Sequence, residues 1–115
     1  MSAVRELNAS ELNELLGAAE ARLRVVDIRT AGEVAQGIIP GSEFVPMHLI
    51  PLSCDRWRDD ELIVLYCRSG ARSAQACLFL QQQGLNNVVN LRGGIIDWHR
   101  QGLPIEAPER VEAAV

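Results

Sequence analysis

The sequence predicts an α/β domain with a mostly parallel sheet covered by helices on both faces. Three observations predict it. Short apolar runs alternate with segments of helical periodicity along nearly the whole chain, the pattern of repeated strand–helix–strand units. Leu62-Ile63-Val64-Leu65-Tyr66 is apolar without interruption, as a strand buried on both faces is. Two capping-box patterns, Asn8 with Glu11 and Thr30 with Glu33, mark helix starts between the apolar runs.

Taken in order, Asn8 caps a first helix, with Leu7 and Leu12 placed as a hydrophobic staple. Leu12, Leu15 and Leu16 form its buried stripe and Gly17 is expected to stop it. Val25-Val26-Asp27-Ile28 reads as a short strand. Thr30 and Glu33 bracket a second helix over Ala31 to Gln36, and Gly37, Pro40 and Gly41 force a turn. Ser42 to Cys54 is expected to be irregular, because Pro46 and Pro51 prevent a long helix. After the Leu62–Tyr66 strand the chain passes through Cys67 to Ser73 into a helix of about ten residues. On it Ala74, Cys77 and Leu78 share one face and Ala76, Phe79 and Leu80 another, which predicts a largely buried helix. Gly84 ends it and Leu85 makes the contact that follows such a cap. Val88-Val89 is a further strand. Gly93-Gly94 leads into a last helix, Ile95 to Gln101, ended by Gly102 and Pro104. The whole chain, 1–115, is read as one domain, with the tail from Ala107 to Val115 expected to be loosely ordered.

Composition narrows the function. With 115 residues, 48% apolar and 23% charged, the chain has material for one core and is not of disordered type. A net charge of −4 gives no basic face for nucleic acid. No apolar run reaches the roughly 18 residues a membrane helix needs, and Met1 to Leu7 lacks the apolar centre of a signal peptide. The expectation is a cytoplasmic protein with no membrane partner. Cys54, Cys67 and Cys77 have no ligand-like spacing, so neither a metal nor any other cofactor is expected.

In sheets of this kind ligands bind beyond the carboxyl ends of the strands. The segment there is Cys67-Arg68-Ser69-Gly70-Ala71-Arg72-Ser73. A loop curling into a helix start turns backbone N–H groups inward as an anion cradle. Gly70 and Ala71 permit the tight curve. A thiol at the mouth of that cradle is favoured as thiolate, the nucleophilic form, by the helix dipole and by the guanidiniums of Arg68 and Arg72. Both arginines also suit an oxyanion substrate, and Ser73 is placed to donate to the sulfur. The bland alternative, that Cys67 is an inert buried residue, is the usual fate of a free Cys; the flanking arginines and the strand–loop–helix setting argue against it. Cys77, mid-helix on an apolar face, is read as core and Cys54 as a bystander.

The loop resembles the active-site loop of rhodanese domains. Val26-Asp27-Ile28-Arg29 with Glu33 is similar to that family's D-x-R…E signature, and Gly37-Ile38-Ile39-Pro40-Gly41-Ser42 to its G-H-I-P-G-A turn. Leu91-Arg92-Gly93-Gly94-Ile95 with Trp98, Gly102, Leu103 and Pro104 resembles its C-terminal block. The match runs from about Leu7 to Ile105 in four ordered blocks. The resemblance implies a central five-stranded parallel sheet. It also implies a catalytic Cys67 that takes a sulfane sulfur, from thiosulfate or a protein persulfide, and passes it to cyanide or another thiol. Ile38 departs from the family's frequent His, which bears on the local turn. The stretch between Gly41 and Leu62 is short, which implies an open mouth to the site. Two other functions are compatible with these residues. One is a phosphatase or arsenate reductase on the same fold; related phosphatases carry one more residue, C-x5-R, where Cys67 to Arg72 is C-x4-R. The other is a non-enzymatic sulfur-relay or partner-binding module.

Outside the loop, Arg29 is read in two ways, as an active-site neighbour or as half of an Arg29–Glu33 pair at helical spacing, and the pair is favoured. Arg92 is read equally as a cleft residue or a solvated one. His48 and His99 are read as surface or boundary residues, and Trp57 and Trp98 as packing anchors.

Overall fold

The computed structural model describes residues 4–18, 21–59 and 61–108. Its elements are β1 (Glu6–Leu7), α1 (Ala9–Gly17), β2 (Leu23–Asp27), α2 (Ala31–Val34) and β3 (Glu43–Phe44), then a 3-10 helix (Met47–Ser53), α3 (Cys54–Trp57), β4 (Leu62–Tyr66), α4 (Ala71–Gln82), β5 (Val88–Leu91) and α5 (Gly94–Arg100). The five strands form one sheet in the order β1-β5-β4-β2-β3, and every neighbouring pair is parallel.

The strands alternate their side chains between two cores. Val26, Ile63, Leu65 and Val88 point to the face covered by α4, the 3-10 helix and α3, where Ala76, Cys77, Leu80, Ile50 and Trp57 meet them. Val25, Val64, Tyr66 and Leu91 point to the other, where Ala9 and Leu12 of α1 and Ile95 and Trp98 of α5 pack. Trp57 and Trp98 are 0% and 1% exposed, the packing anchors expected of them.

Both expected capping boxes form. The Glu11 N–H donates to Asn8 Oδ1 at 2.8 Å and Glu11 Oε1 accepts from the Asn8 N–H at 2.9 Å. Thr30 and Glu33 exchange the same pair of bonds. Several boundaries differ from expectation. Gly17 is the last residue of α1, with Ala18 as its extended cap. α2 ends at Val34, short of Gln36. The span 42–54 is not irregular throughout: it holds β3 and a 3-10 helix that runs through Pro51. On α4 the buried face is Ser73, Ala76, Cys77 and Leu80, while Leu78 is 41% exposed. Gly84 takes φ +94° and Leu85, fully buried, donates to the Leu80 carbonyl, as a helix C-terminus of this type requires.

Ile38 leaves the turn intact. It makes an isolated antiparallel bridge with Glu106, and the Ile39 N–H donates to the Tyr66 hydroxyl at 3.1 Å. Of the tail, Pro108 is the last described residue, so 109–115 lie outside the described residues. Among the described residues no helix is long and apolar enough to cross a membrane.

Candidate active site

β4 delivers Cys67 to the carboxyl edge of the sheet, and Gly70 turns the chain into α4. Gly70 adopts φ +101°, and a Cβ there would come within 3.3 Å of the Leu91 carbonyl oxygen and the Gly93 nitrogen, so both conformation and space call for glycine. Helix α4 starts at Ala71, which puts Arg72 and Ser73 in its first turn rather than before it. From the other side α5 closes on the loop: the Ile95 N–H donates to the Cys67 carbonyl at 3.0 Å and the Ile96 N–H to that of Arg68 at 3.1 Å.

Inside this curve the Cys67 sulfur accepts from the Gly70 N–H at 3.1 Å and the Ser73 N–H at 3.4 Å, with Ser73 Oγ at 3.3 Å. Burial pushes the thiol up. The Ser73 hydroxyl and the N–H groups of Ser73, Gly70 and Ser69 outweigh it, and the thiol lies below its ordinary value. Cys67 is 1% exposed, at the floor of the cradle and not at its mouth. The short span after Gly41 does not leave the sulfur itself exposed.

The arginines depart from expectation. Arg72 gives Nη1 and Nη2 to the two carboxylate oxygens of Glu33 and acts on Cys67 as a nearby charge. Arg68 is exposed, as is Ser69. The cradle on the sulfur is thus made of backbone N–H groups and one hydroxyl. Arg68 lines a cleft with Arg29, Glu33, Gly37, Ile95 and His99. Arg72 lines a second, mostly apolar one with Arg29, Thr30, Phe44, Met47 and His48. Cys67 lines neither.

Arg29 corrects the favoured reading. It does not pair with Glu33; it is 5% exposed and its Nε and Nη2 grip the carboxylate of Asp27, with Nη2 also donating to the Gly37 carbonyl at 2.7 Å. Arg92 is exposed and lines neither cleft. His48 and His99 are exposed. Cys77 is fully buried and its thiol is pushed up to about 12 by burial; Cys54 is half-buried at the start of α3. Among the described residues no group of three or more His, Cys, Asp or Glu side chains gathers where a metal ion could be held.

Sequence reasoning missed Asn90. It sits in β5, 1% exposed, against Ser73 and Gly70. The signal was available: one amide in the apolar run Val88-Val89-Asn90-Leu91, since a buried polar side chain needs partners.

The family model of the rhodanese-like domain matches residues 8–101, and the chain belongs to that family. It is 54% identical over 106 residues to a sulfurtransferase of Allochromatium vinosum, covering 92% of this chain and 98% of that one. Among solved structures it resembles a rhodanese-like domain protein of Staphylococcus aureus (TM-score 0.80, 29% identity, 92% of this chain and 100% of that one). It also resembles a Rhodopseudomonas palustris protein named as a possible tyrosine phosphatase (TM-score 0.83, 29% identity, 90% and 85% covered).

Proposed function

We propose that Cys67 is the nucleophile of this protein, that it carries a sulfane sulfur as a persulfide, and that thiosulfate or a protein persulfide supplies it. Family membership and the Allochromatium relative make the chain a sulfurtransferase; the donor, the carrier residue and the acceptor are the proposal. The observation that carries it is the ring of N–H donors from Ser69, Gly70 and Ser73 closing on the Cys67 sulfur. Such a ring stabilises a thiolate, and then the charged outer sulfur of a persulfide.

The chemistry balances without a cofactor. The Cys67 thiolate attacks the outer sulfur of thiosulfate; a new S–S bond forms, the old one breaks, and sulfite leaves with its electron pair. Cyanide or a thiolate then attacks the outer sulfur of the Cys67 persulfide. Thiocyanate or a new persulfide departs, and the Cys67 thiolate is restored. Ser69, Gly70, Ala71 and Ser73 shape the pocket for the transferred sulfur. Arg68 and Arg72 line the two clefts beside the loop and offer positive charge to an anionic donor.

The phosphatase reading is favoured by the Rhodopseudomonas neighbour's name. Against it stands the loop: Cys67 to Arg72 spans C-x4-R, and the tight ring leaves little room for a tetrahedral phosphoryl group on sulfur. One experiment separates the two. The chain is incubated with thiosulfate, or with an aryl phosphate, and analysed by intact-mass and peptide mass spectrometry. We expect Cys67 heavier by one sulfur atom and negligible phosphate release; steady phosphate release with no sulfur on Cys67 would overturn the proposal.

A further inference from the structure

Ser73 and Asn90 are both buried, at 0% and 1% exposure, and together they reach the Cys67 sulfur from β5. The Asn90 amide is held in one orientation. Its Nδ2 faces the Gly70 carbonyl at 3.2 Å and Glu6 Oε2 at 2.9 Å, two oxygen acceptors, so the NH2 end lies there. Its Oδ1 then faces Ser73, whose hydroxyl donates to it in a short hydrogen bond. A hydroxyl has one hydrogen. With that hydrogen on Asn90, Ser73 turns a lone pair to the sulfur 3.3 Å away. Ser73 Oγ is within donating reach of the sulfur as well, so its one hydrogen is contested between Asn90 and a Cys67 thiolate; while it is on Asn90, a Cys67 S–H can donate to Ser73. A thiolate would either face that lone pair or draw the hydrogen to itself and leave a buried amide oxygen unpaired, which is costly.

We propose that Asn90 is a positioning residue for Cys67, acting through the direction in which it holds the Ser73 hydroxyl hydrogen. Its effect opposes that of the backbone N–H groups. It keeps a share of the resting sulfur as thiol, sparing it from oxidants that attack thiolate. This rests on Cys67 being the working nucleophile. Other charges around the sulfur are Arg72 on α4, paired with Glu33 of α2, the Asp27–Arg29 pair at the end of β2, Arg68 in the loop, and Glu6 of β1 behind Asn90. The Arg72–Glu33 and Asp27–Arg29 pairs are kept when Asn90 is replaced.

The test is the alkylation rate of Cys67 against pH, read by peptide mass spectrometry on the full chain. Four forms are compared: unmodified, Asn90→Ala, Ser73→Ala and the double variant. Asn90→Ala frees the hydroxyl for the sulfur. Its thiolate fraction below the inflection should rise about tenfold, the scale of one hydrogen bond to a charged group. With Ser73→Ala present, Asn90→Ala should change nothing. No shift in Asn90→Ala with Cys77 still protected, or an equal shift with and without Ser73, overturns the proposal. If Asn90→Ala leaves Cys77 open, and so has not folded, the S–H stretching band of the unmodified chain decides. A low-frequency component that Ser73→Ala moves to the free-thiol position supports the proposal; a band that does not move overturns it. None of these readouts needs sulfur transfer, so persulfide formation on the unmodified chain fails or succeeds separately.

Discussion

Arg72 commits both terminal nitrogens to Glu33, at 2.8 Å each, and Glu33 is at the same time the closing residue of the Thr30 capping box. An arginine proposed to receive an anionic donor is therefore already neutralised in the resting site. Glu33→Gln separates the two roles, because glutamine still closes a capping box but no longer cancels the charge. The expected outcome is a severalfold lower KM for thiosulfate with kcat little changed, measured by steady-state sulfur transfer to cyanide.

The same pair carries an acid dependence. The hydrogen bonds from Arg72 bring the Glu33 carboxyl down from 4.5 to about 2. A carboxyl lowered by folding adds stability above its ordinary value, and that stability is lost as pH falls from there towards 2. The side chains are 37% and 27% exposed, so solvent screening keeps the gain below about 1 kcal/mol. Denaturant midpoints between pH 6 and 3 should fall slightly more in the unmodified protein than in Glu33→Gln.

The three cysteines should separate cleanly. Cys67→Ala or Cys67→Ser should abolish transfer, whereas Cys54→Ser and Cys77→Ala should keep most of it. Cys77→Ala should cost of order 1 kcal/mol for a small cavity, as removal of one methylene-sized group does. Cys67 should alkylate with an inflection below the free-thiol value of about 8.5, while Cys77, pushed up to about 12, stays inert. Full activity in Cys67→Ala would remove it from the mechanism.

Arg29→Ala leaves the Asp27 carboxylate, 1% exposed, without its partner. Breaking a buried pair in this way costs about 3–5 kcal/mol, readable as a large drop in denaturation midpoint. Arg29→Lys should recover only part of it, because a single ammonium cannot make the forked contact.

Gly94 answers for the loop's position. A Cβ on it would overlap the Arg68 carbonyl oxygen and lie 2.5 Å from that of Cys67. Gly94→Ala should therefore push α5 off the loop, costing about 1–3 kcal/mol. A displacement of about 1 Å at the cradle should slow transfer on the order of a hundredfold. Folded Gly94→Ala with an unchanged rate would show the loop to be insensitive to α5.

Much of this was legible where one local rule governs. The capping boxes at Asn8 and Thr30 and the β4 run each depend on neighbours in sequence and stand where expected; the turn after Cys67 stands there too but is shorter, because the helix starts at Ala71. β1 and β3 were not legible as strands, because two residues, Glu6–Leu7 or Glu43–Phe44, show no period. Pro51 rules out a long α-helix, yet a 3-10 turn accommodates it. Arg29 escapes a spacing rule that holds only within a helix: it lies in a bend before the Thr30 cap, and its side chain returns to Asp27, two residues back. Arg72 and Glu33 are 39 positions apart, a contact no local pattern encodes.

The N–H groups of Ile95 and Ile96 that bind the Cys67 and Arg68 carbonyls tie the loop's mobility to a helix. The loop cannot open by itself; opening it means undocking α5, which carries the buried Ile95 and Trp98 out of the core. Amide hydrogens at Gly70, Ser73, Ile95 and Ile96 should accordingly exchange with solvent as one slow group, close to the rate of global unfolding, although loops elsewhere exchange early. A site held this way meets whatever enters it with the backbone around Cys67 already in place.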